Sequence, residues 1–462
     1  MRRLRRQGPA PAVGVVHLGL GAFARAHLAV YTDEVDATGW GICGVTQRSA
    51  TVRDQLAPQG GVYGVLTGGH VRIVGAVARV LDGSTQVAAV LDLLADPRVT
   101  VATLTVTEKG YRRTASGGLD TADPDVRADL AGRPPVTVVG RLVRGLQRRA
   151  AADAGPLTVV CCDNLPANGA AVERLVGDFC AALPSAEGDA VGSWIATHVT
   201  FPSSMVDRIV PATTDADRAE AAALTGVRDE GLVVAEPFSQ WVLEDRFAAP
   251  RPPWERTGVQ LTDDVTPYEV MKLRLLNGVH STLAYLGALR GHRTIADAVA
   301  DPALRTVAEG VLADLAPTVP PPSGVDLSVY GETVLARFAD PGLRHTCVQV
   351  AMDGTQKLPQ RLVSGVADAL AAGRVPRYAT LGVAAWMAYV ALGRDAAGRE
   401  LPLDDPRAAD LASVRGRTDA AAVVDALLRL DAVFGPGLRD DVRWRDALVE
   451  DVKSLLSGST TP

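Results

Sequence analysis

The stretch that decides the fold of this chain is VGVVHLGLGAFA, residues 13–24. Its first six residues are apolar except for His17 and predict a buried β-strand. The next six, GLGAFA, fit the pattern G-x-G-x-x-G/A, in which the first glycine permits a tight turn and the second lets backbone amides approach a pyrophosphate at a helix N-terminus. We therefore predict a dinucleotide-binding turn; in a glycine-rich chain the alternative is an ordinary turn. The predicted cofactor contacts here are Gly19, Gly21, Ala22 and Phe23.

Residues 12–255 repeat this alternation of strand and helix. Short runs rich in Val and Ile, typical of strands covered on both faces, alternate with longer stretches rich in Ala, Leu and charged residues. We predict an α/β domain with a parallel-rich sheet over residues 12–255. Its predicted strands are residues 13–18, 42–46, 71–80, 99–107, 157–162 and 194–199. Its predicted helices include residues 22–36, 85–95 and 170–183.

A proline cluster, APRPPW at residues 249–254, cannot continue a helix or a central strand and predicts a domain connection. Beyond it the chain is rich in Leu and Ala at helical spacing, with almost no strand-like runs. We predict a mostly α-helical second domain over residues 256–462. Residues 1–11, which carry four arginines, are predicted to be a disordered basic arm.

The composition limits the class of protein. With 47 Lys and Arg against 53 Asp and Glu, the net charge is −6, so the chain has no basic field for a nucleic-acid backbone. Five cysteines without CxxC or Cys/His metal spacing predict buried thiols in a reducing compartment and no metal site. Neither a signal-peptide pattern nor an apolar run of about 18 residues occurs. We expect a cytoplasmic protein without membrane or nucleic-acid partners, and a monomer as the default.

The acidic residue that usually reads the adenosine ribose, about 20 residues after the glycines, is missing. Residues 44–49 read GVTQRS, and no Asp or Glu precedes Asp54. Arg48 at this position can receive the 2′-phosphate of NADP, stack on adenine or face solvent. We predict NAD as the cofactor with Arg48 among its contacts, and the sequence leaves NADP open.

The most informative segment of the second domain is YEVMKLRLLNGVH, residues 268–280, whose composition and periodicity predict a helix. At 100° per residue, Lys272, Glu269, His280 and Asn277 fall within an arc of about 140° on a helix that is otherwise largely apolar. Such an arc either lines a cleft or faces solvent. The pairing with a nucleotide-binding domain favours the cleft.

A lysine desolvated in a cleft can act as general base on an alcohol whose hydride leaves for a nicotinamide. The developing alkoxide needs preorganised donors, and the Asn277 amide can supply one without changing charge. These groups take the place of the zinc ion used by other alcohol dehydrogenases. We therefore predict a metal-independent dehydrogenase.

This segment and further blocks along nearly the whole chain resemble the polyol-specific long-chain dehydrogenases, the family of mannitol dehydrogenase and fructuronate reductase. The matching blocks are GLGAFARAH (19–27), TVTEKGY (105–111), CDNLPANG (162–169), FPSSMVDRIVP (201–211), EPFSQWVLEDRF (236–247) and residues 344–361. The resemblance implies a Rossmann-type N-terminal domain, a largely helical C-terminal domain and a metal-free active site in the cleft between them.

By position, the resemblance makes Lys272 the general base, with Asn277 and Asn168 as the amide donors around the reacting oxygen. It implies that His280 hydrogen-bonds the substrate and that Glu269 lies on a proton route behind the lysine.

The resemblance also places Asp207 at the sugar hydroxyls. Asn164 lies in the same loop as Asn168, and we assign it to the cofactor. Without the family, the two loop asparagines are turn formers.

One block departs from the mannitol dehydrogenase branch. In the matching segment of that branch, an arginine precedes a lysine by eight residues. In this chain Gln349 takes the position of the arginine, Lys357 is retained and Arg361 follows. This variant is more similar to the fructuronate reductase side, and a substrate carboxylate suits a lysine and an arginine. The alternative for Arg361 is an ion pair with an acidic neighbour. Gln349, Lys357 and Arg361 are predicted substrate contacts.

The expected activity is interconversion of a linear polyol or aldonate with its 2-keto sugar. One alternative is a mannitol-1-phosphate type of dehydrogenase, whose phosphate pocket needs Arg344, His345, Lys357 and Arg361. A remote alternative is a nucleotide-binding sensor without catalysis.

Overall fold

A computed structural model describes residues 1–35, 39–114 and 116–458, and the chain forms two compact units, Met1–Val265 and Thr266–Pro462. The predicted boundary at 255/256 lies before this division. The proline cluster does not end the first unit, because Gln260–Thr262 beyond it forms a strand that pairs in parallel with Gln240–Glu244.

The first unit holds all the strands that the described residues form. They are β1 Val13–Leu18, β2 Gly41–Thr46, β3 Tyr63–Thr67, β4 His70–Val74, β5 Val77–Asp82, β6 Val101–Leu104, β7 Leu157–Cys161, β8 Val199–Thr200, β9 Ser204–Asp207, β10 Val233–Val234, β11 Gln240–Glu244 and β12 Gln260–Thr262. A six-stranded sheet has the order β5-β2-β1-β6-β7-β8 with every pairing parallel. Two three-stranded sheets, β10-β3-β4 and β12-β11-β9, complete the unit. The predicted parallel-rich α/β domain is confirmed.

The helices of the first unit connect these strands. They are α1 Ala22–Ala26, α2 Leu28–Glu34, α3 Thr51–Leu56, α4 Val87–Leu94, α5 Pro124–Leu130, α6 Val138–Ala151, α7 Asn168–Ala181, α8 Ser185–His198 and α9 Asp215–Thr225. Alternate residues of β1 enter different core clusters, Val15 on one face of the sheet and Val16 and Leu18 on the other. Both faces are therefore covered, which is why the strands read as continuous apolar runs.

The described part of the second unit is helical, with no strand beyond isolated bridges, as predicted. Its helices are α10 Thr266–Met271, α11 Gly278–Arg290, α12 Ile295–Ala300, α13 Pro302–Leu315, α14 Leu327–Phe338, α15 Cys347–Ala351, α16 Gly354–Leu358, α17 Ser364–Ala371, α18 Arg377–Leu392, α19 Ala408–Leu411, α20 Ala420–Leu428, α21 Asp431–Arg439 and α22 Val442–Leu456. Two segments, Lys272–Asn277 and Pro359–Val363, are π-helical.

Three predicted elements differ from the structure. The predicted strand 194–199 is wrong, since residues up to His198 end α8, which buries Val191 and Ile195 at a spacing of four. The predicted strand 71–80 is two strands, β4 and β5. The predicted helix 22–36 breaks at His27, whose φ and ψ of −122° and −89° are not helical; its last residue, Asp36, lies outside the described residues.

The predicted disorder of the N-terminal arm is also corrected by its hydrogen bonds to the first unit. The backbone N–H of Leu4 donates to the carbonyl of Arg228 at 2.8 Å. Arg6 Nη2 donates to the carbonyls of Gly75 and Val77 at 2.8 and 2.7 Å. The composition of the arm predicts a solvated segment, but these arginine donors satisfy backbone carbonyls that lie far away in the sequence.

Candidate active site

The turn after β1 has the geometry that the glycine pattern predicts. Gly19 has a φ of +106°, and a Cβ there would lie 1.9 Å from the carbonyl oxygen of Thr105. Only glycine fits this position. The N-cap of α1 is Gly21, and no side chain caps the helix. The amides at Ala22 and Phe23 therefore begin a helix N-terminus of the kind that binds a pyrophosphate.

A cleft of about 660 Å³ opens at this turn. It is lined by Gly19 to Gly21, by Thr46 to Ser49 after β2, by Thr105 to Thr107 after β6 and by the beginning of α6. These are the carboxyl ends of three neighbouring parallel strands, where open α/β sheets bind their ligands. Arg48 lines the cleft and is exposed, whereas Asn164 is exposed after β7 and does not line it.

The loop after β7 is held at its first residue by a buried carboxyl group. Asp163 Oδ1 accepts from the backbone N–H of Val106 at 2.8 Å, and Oδ2 accepts from the hydroxyl of Tyr111 at 2.5 Å. Burial raises the pKa of Asp163 to about 7. This residue was not among the predicted site residues, although an acid directly after a buried strand is a visible signal.

The same loop is held at its other end by Asn168. Its Nδ2 donates to the carbonyls of Asp163 at 2.9 Å and Ser204 at 2.7 Å, and its Oδ1 accepts from the N–H of Ser204 at 2.9 Å. A side-chain amide has two hydrogens, and both are donated here. Asn168 therefore fixes the loop to β9, and its role as a donor to the reacting oxygen stays a prediction.

Asp207 is buried at the end of β9, opposite Gln240 of β11. It is a predicted contact of sugar hydroxyls, and this role stays a prediction.

In the second unit the predicted helix 268–280 exists, but its middle is a π-helix. The π-helical segment begins at Lys272 and ends at Asn277, between α10 and α11. The arc calculated at 100° per residue therefore does not hold through this segment, because a π-helix has i→i+5 hydrogen bonds. Insertions of this kind occur frequently at functional sites.

The polar residues of this segment do not face solvent. Lys272, Asn277 and His280 are 6%, 8% and 9% exposed. Glu269 is half-buried, and α11 is buried from Gly278 to Leu289. The solvent-facing alternative is therefore wrong.

His280 is surrounded by rings and cations. Its imidazole stacks on Phe338 at 4.7 Å and on His345 at 5.6 Å between ring centroids. Burial, followed by the charges of His345, Arg361 and Lys357, holds the pKa of His280 well below its ordinary value. Its buried Nε2 has no hydrogen-bond partner among the described residues. A neutral imidazole here can exchange a hydrogen bond with a ligand, but it cannot be an ion-pair partner.

Two of the three predicted substrate contacts in residues 349–361 lie near the π-helical segments. Arg361, on the second of them, donates from Nη1 to Ser281 Oγ at 3.1 Å. Its carbonyl oxygen packs so closely on Gly278 that a Cβ there would lie 2.7 Å away. Lys357 is half-buried and donates to the carbonyl of Val350 at 3.3 Å.

Gln349 is used differently. It is exposed, and its Oε1 accepts from the Thr346 hydroxyl at 2.9 Å in a capping box at the start of α15. Its assignment to the substrate stays a prediction. The spacing Thr346-x-x-Gln349 is a capping signal that the sequence contains.

The five cysteines are free and buried, as predicted. Within the described ranges, no group of three or more His, Cys, Asp or Glu side chains is placed to hold a metal ion. No helix in the described part of the chain is long and apolar enough to span a bilayer.

Comparison with known proteins relates both units to one family. Residues 13–256 match the family model described as the mannitol dehydrogenase Rossmann domain, and residues 264–456 match the mannitol dehydrogenase C-terminal domain. The D-mannonate oxidoreductase of Escherichia coli (strain K12) is 40% identical over 96% of this chain and 93% of that protein. A mannitol 2-dehydrogenase of Pyrenophora tritici-repentis (strain Pt-1C-BFP) is 38% identical over 96% of this chain and 79% of that protein.

A solved structure is similar along both units. It is the ternary complex of Pseudomonas fluorescens mannitol 2-dehydrogenase with NAD and D-mannitol, with a TM-score of 0.88 and 36% identity, covering 97% of this chain and 93% of that one.

The buried carboxyl group of Asp163 predicts a pH dependence of stability. Because its pKa is raised from 3.8 to about 7 on folding, its stabilising contribution is complete below the lower value and is lost as the pH rises through about 7. Asp163→Asn retains the acceptor for the N–H of Val106, and its Nδ2 donates to the Tyr111 hydroxyl, which reverses the hydrogen bond that Oδ2 accepts in the wild type. We expect this variant to flatten the fall in the free energy of unfolding between about pH 5 and 8, measured by urea denaturation.

The matched control is Asp189→Asn, at an exposed position on α8, which should keep the wild-type pH dependence. An Asp163→Asn variant with the same slope as the wild type would contradict the assignment.

Proposed function

The chain belongs to the mannitol dehydrogenase family, and from this premise we propose that it is an NAD(P)-dependent oxidoreductase that interconverts a secondary alcohol of a linear polyol or aldonate with the keto group of the 2-keto sugar. The observation that carries this proposal is the buried π-helical segment that begins at Lys272 and ends at Asn277. A lysine and an amide at the two ends of a buried π-helical turn are the groups that metal-free alcohol oxidation needs.

The residues of the first unit fit a nicotinamide dinucleotide. The turn at Gly19 has no room for a Cβ, and the uncapped N-terminus of α1 follows it. The cleft extends from this turn to the end of β2. When bound, NAD supplies the acceptor for the hydride that leaves the alcohol carbon.

We propose that Lys272 removes the hydroxyl proton of the substrate. Burial disfavours the charged form of a lysine side chain, so its neutral amine is available as the base. The proton moves from the substrate oxygen to Nζ while the C–H electron pair leaves as hydride and the C–O bond becomes a carbonyl. Glu269, three residues before Lys272 and half-buried, is on the same side of the helix and relays the proton outward.

The negative charge that develops on the substrate oxygen needs donors. Asn277 is one of them, and we now propose Asn164 as the second in place of Asn168. Asn164 is exposed in the loop after β7, and Asn168 is buried where it fixes this loop to β9. His280, neutral and buried, hydrogen-bonds a neighbouring hydroxyl.

We propose that the substrate belongs to the mannitol/fructose or the mannonate/fructuronate pair, with Asp207, Lys357 and Arg361 at its remaining groups. Arg361 and Lys357 act electrostatically on His280, which supports a carboxylate near this residue. The mechanism is proposed to be zinc-independent, since Lys272 and the amides supply the base and the oxyanion donors.

A steady-state panel tests this function. Fructose, fructuronate, tagaturonate and fructose 6-phosphate are each supplied with NADH or NADPH. We expect reduction of fructose or fructuronate, with the acid favoured. Turnover of fructose 6-phosphate together with competitive inhibition by inorganic phosphate would replace the proposal with the phosphate-type enzyme, and reduction of none would end it.

Lys272→Ala should lower turnover by roughly 10²- to 10⁴-fold, the usual contribution of a positioned acid or base. The dissociation constant of NADH should stay within about 2-fold, because the cofactor cleft lies in the first unit. Lys453→Ala, at an exposed position of α22, is the control and should behave as wild type. Near-normal turnover of Lys272→Ala would remove the lysine from its role.

Alanine variants of the two loop asparagines should differ in whether they lower kcat or the free energy of unfolding. Asn164→Ala should lower kcat by roughly 10²- to 10³-fold, as for the loss of one oxyanion donor, with the free energy of unfolding changed by no more than about 0.5 kcal/mol. Asn168→Ala should destabilise the protein by roughly 2–4 kcal/mol, because it leaves buried backbone groups unsatisfied.

Urea denaturation and steady-state kinetics on both variants make this comparison. A large kcat loss confined to Asn168→Ala, with unchanged stability, would restore the original assignment.

A further inference from the structure

The end of β2 lies at the position where dinucleotide-binding folds bind the adenosine ribose of the cofactor. Gly19 N donates to the carbonyl of Val45 at 2.9 Å, so the glycine turn and the end of β2 are adjacent. Residues 46–49 and Thr51 line the same cleft as the turn. In dinucleotide-binding folds an acid at this position accepts the ribose 2′-hydroxyl, and its charge repels a 2′-phosphate.

No acid of this kind lines the cleft. Asp125 is the one acidic residue among the described residues that line it, and it forms an ion pair with Arg112, which also lines the cleft. Behind the end of β2, Asp82 accepts from Ser84 and Thr85. Asp54 is paired with Arg53 at 2.7 Å. The end of β2 therefore presents no carboxylate to the cleft.

The end of β2 presents donors instead. Arg48 is exposed on the cleft and forms no ion pair with any residue that the structure describes. The amide of Gln47 is oriented by Arg141, whose Nη1 donates to Gln47 Oε1. This leaves Gln47 Nε2, a buried donor without a partner in the described ranges. The hydroxyls of Ser49 and Thr51 lie 2.6 Å apart beside them.

We propose that Arg48 and the Gln47 amide form a subsite for the 2′-phosphate of NADPH, so that this enzyme binds NADPH at least as tightly as NADH. This rests on the proposed function, which requires a nicotinamide dinucleotide in the cleft. A dianionic phosphate offers charge-assisted acceptors to the guanidinium and satisfies the buried amide N–H. NADH, which has a hydroxyl at this position, leaves the charge of Arg48 uncompensated.

The first test is a pair of dissociation constants for the full chain, NADPH and NADH, measured by calorimetry and by nicotinamide fluorescence. NADPH should bind with an equal or lower dissociation constant. Adenosine 2′,5′-bisphosphate should displace either cofactor more effectively than adenosine 5′-phosphate does. NADH binding without measurable NADPH binding overturns the subsite but leaves the proposed function standing, and binding of neither cofactor overturns both.

The variant Arg48→Ala tests whether Arg48 binds the 2′-phosphate. It should raise the dissociation constant of NADPH by roughly 10- to 100-fold, as for the loss of hydrogen bonds to a charged group. The dissociation constant of NADH should rise by less than about 3-fold. Arg48→Lys should recover part of the NADPH affinity. Arg79→Ala, at an exposed position on β5 that does not line the cleft, should change neither constant. Equal weakening of NADPH and NADH by Arg48→Ala would mean that the guanidinium stacks on the adenine, and this would overturn the assignment.

Discussion

The close approach of Gly19 to the carbonyl oxygen of Thr105 is the constraint on which the first unit depends. With a φ of +106° and no space for a Cβ, this residue brings the end of β1 against the end of β6. Its N–H also binds the carbonyl of Val45 at the end of β2. Three strand ends therefore meet at one turn, and the cleft opens where they meet. Any side chain at residue 19 would separate the strands that form the floor of the cleft.

The loop after β7 continues the same edge, and it is clamped at both ends. Asp163 binds the loop after β6, and Asn168 binds β9. Burial of a carboxyl group is costly, as the raised pKa of Asp163 records. Between the two clamps, Asn164 is exposed. The loop is thus fixed by the two residues at its ends, Asp163 and Asn168.

In the second unit, polar side chains are buried on helices. A π-helical insertion occurs on each of two helical stretches, and the two insertions meet where Gly278 packs on the carbonyl of Arg361. Around them, the rings of Phe338 and His345 enclose His280 and keep its imidazole neutral. Buried polar groups without a partner in a folded protein indicate a ligand or a functional role.

The amino-acid sequence by itself determined the parallel α/β unit, the helical second unit and the glycine turn, because periodicity and turn chemistry are local properties of the chain. It also predicted that Lys272, Asn277 and His280, which lie in one segment, do not face solvent, and all three are buried. Only the tertiary structure decided which loop asparagine donates to backbone carbonyls, that Gln349 caps a helix, that burial raises the pKa of Asp163 to about 7 and that Leu4 and Arg6 bind the first unit. Each of these depends on partners that are distant in sequence, and burial and hydrogen bonding between distant residues exist only once the chain has folded.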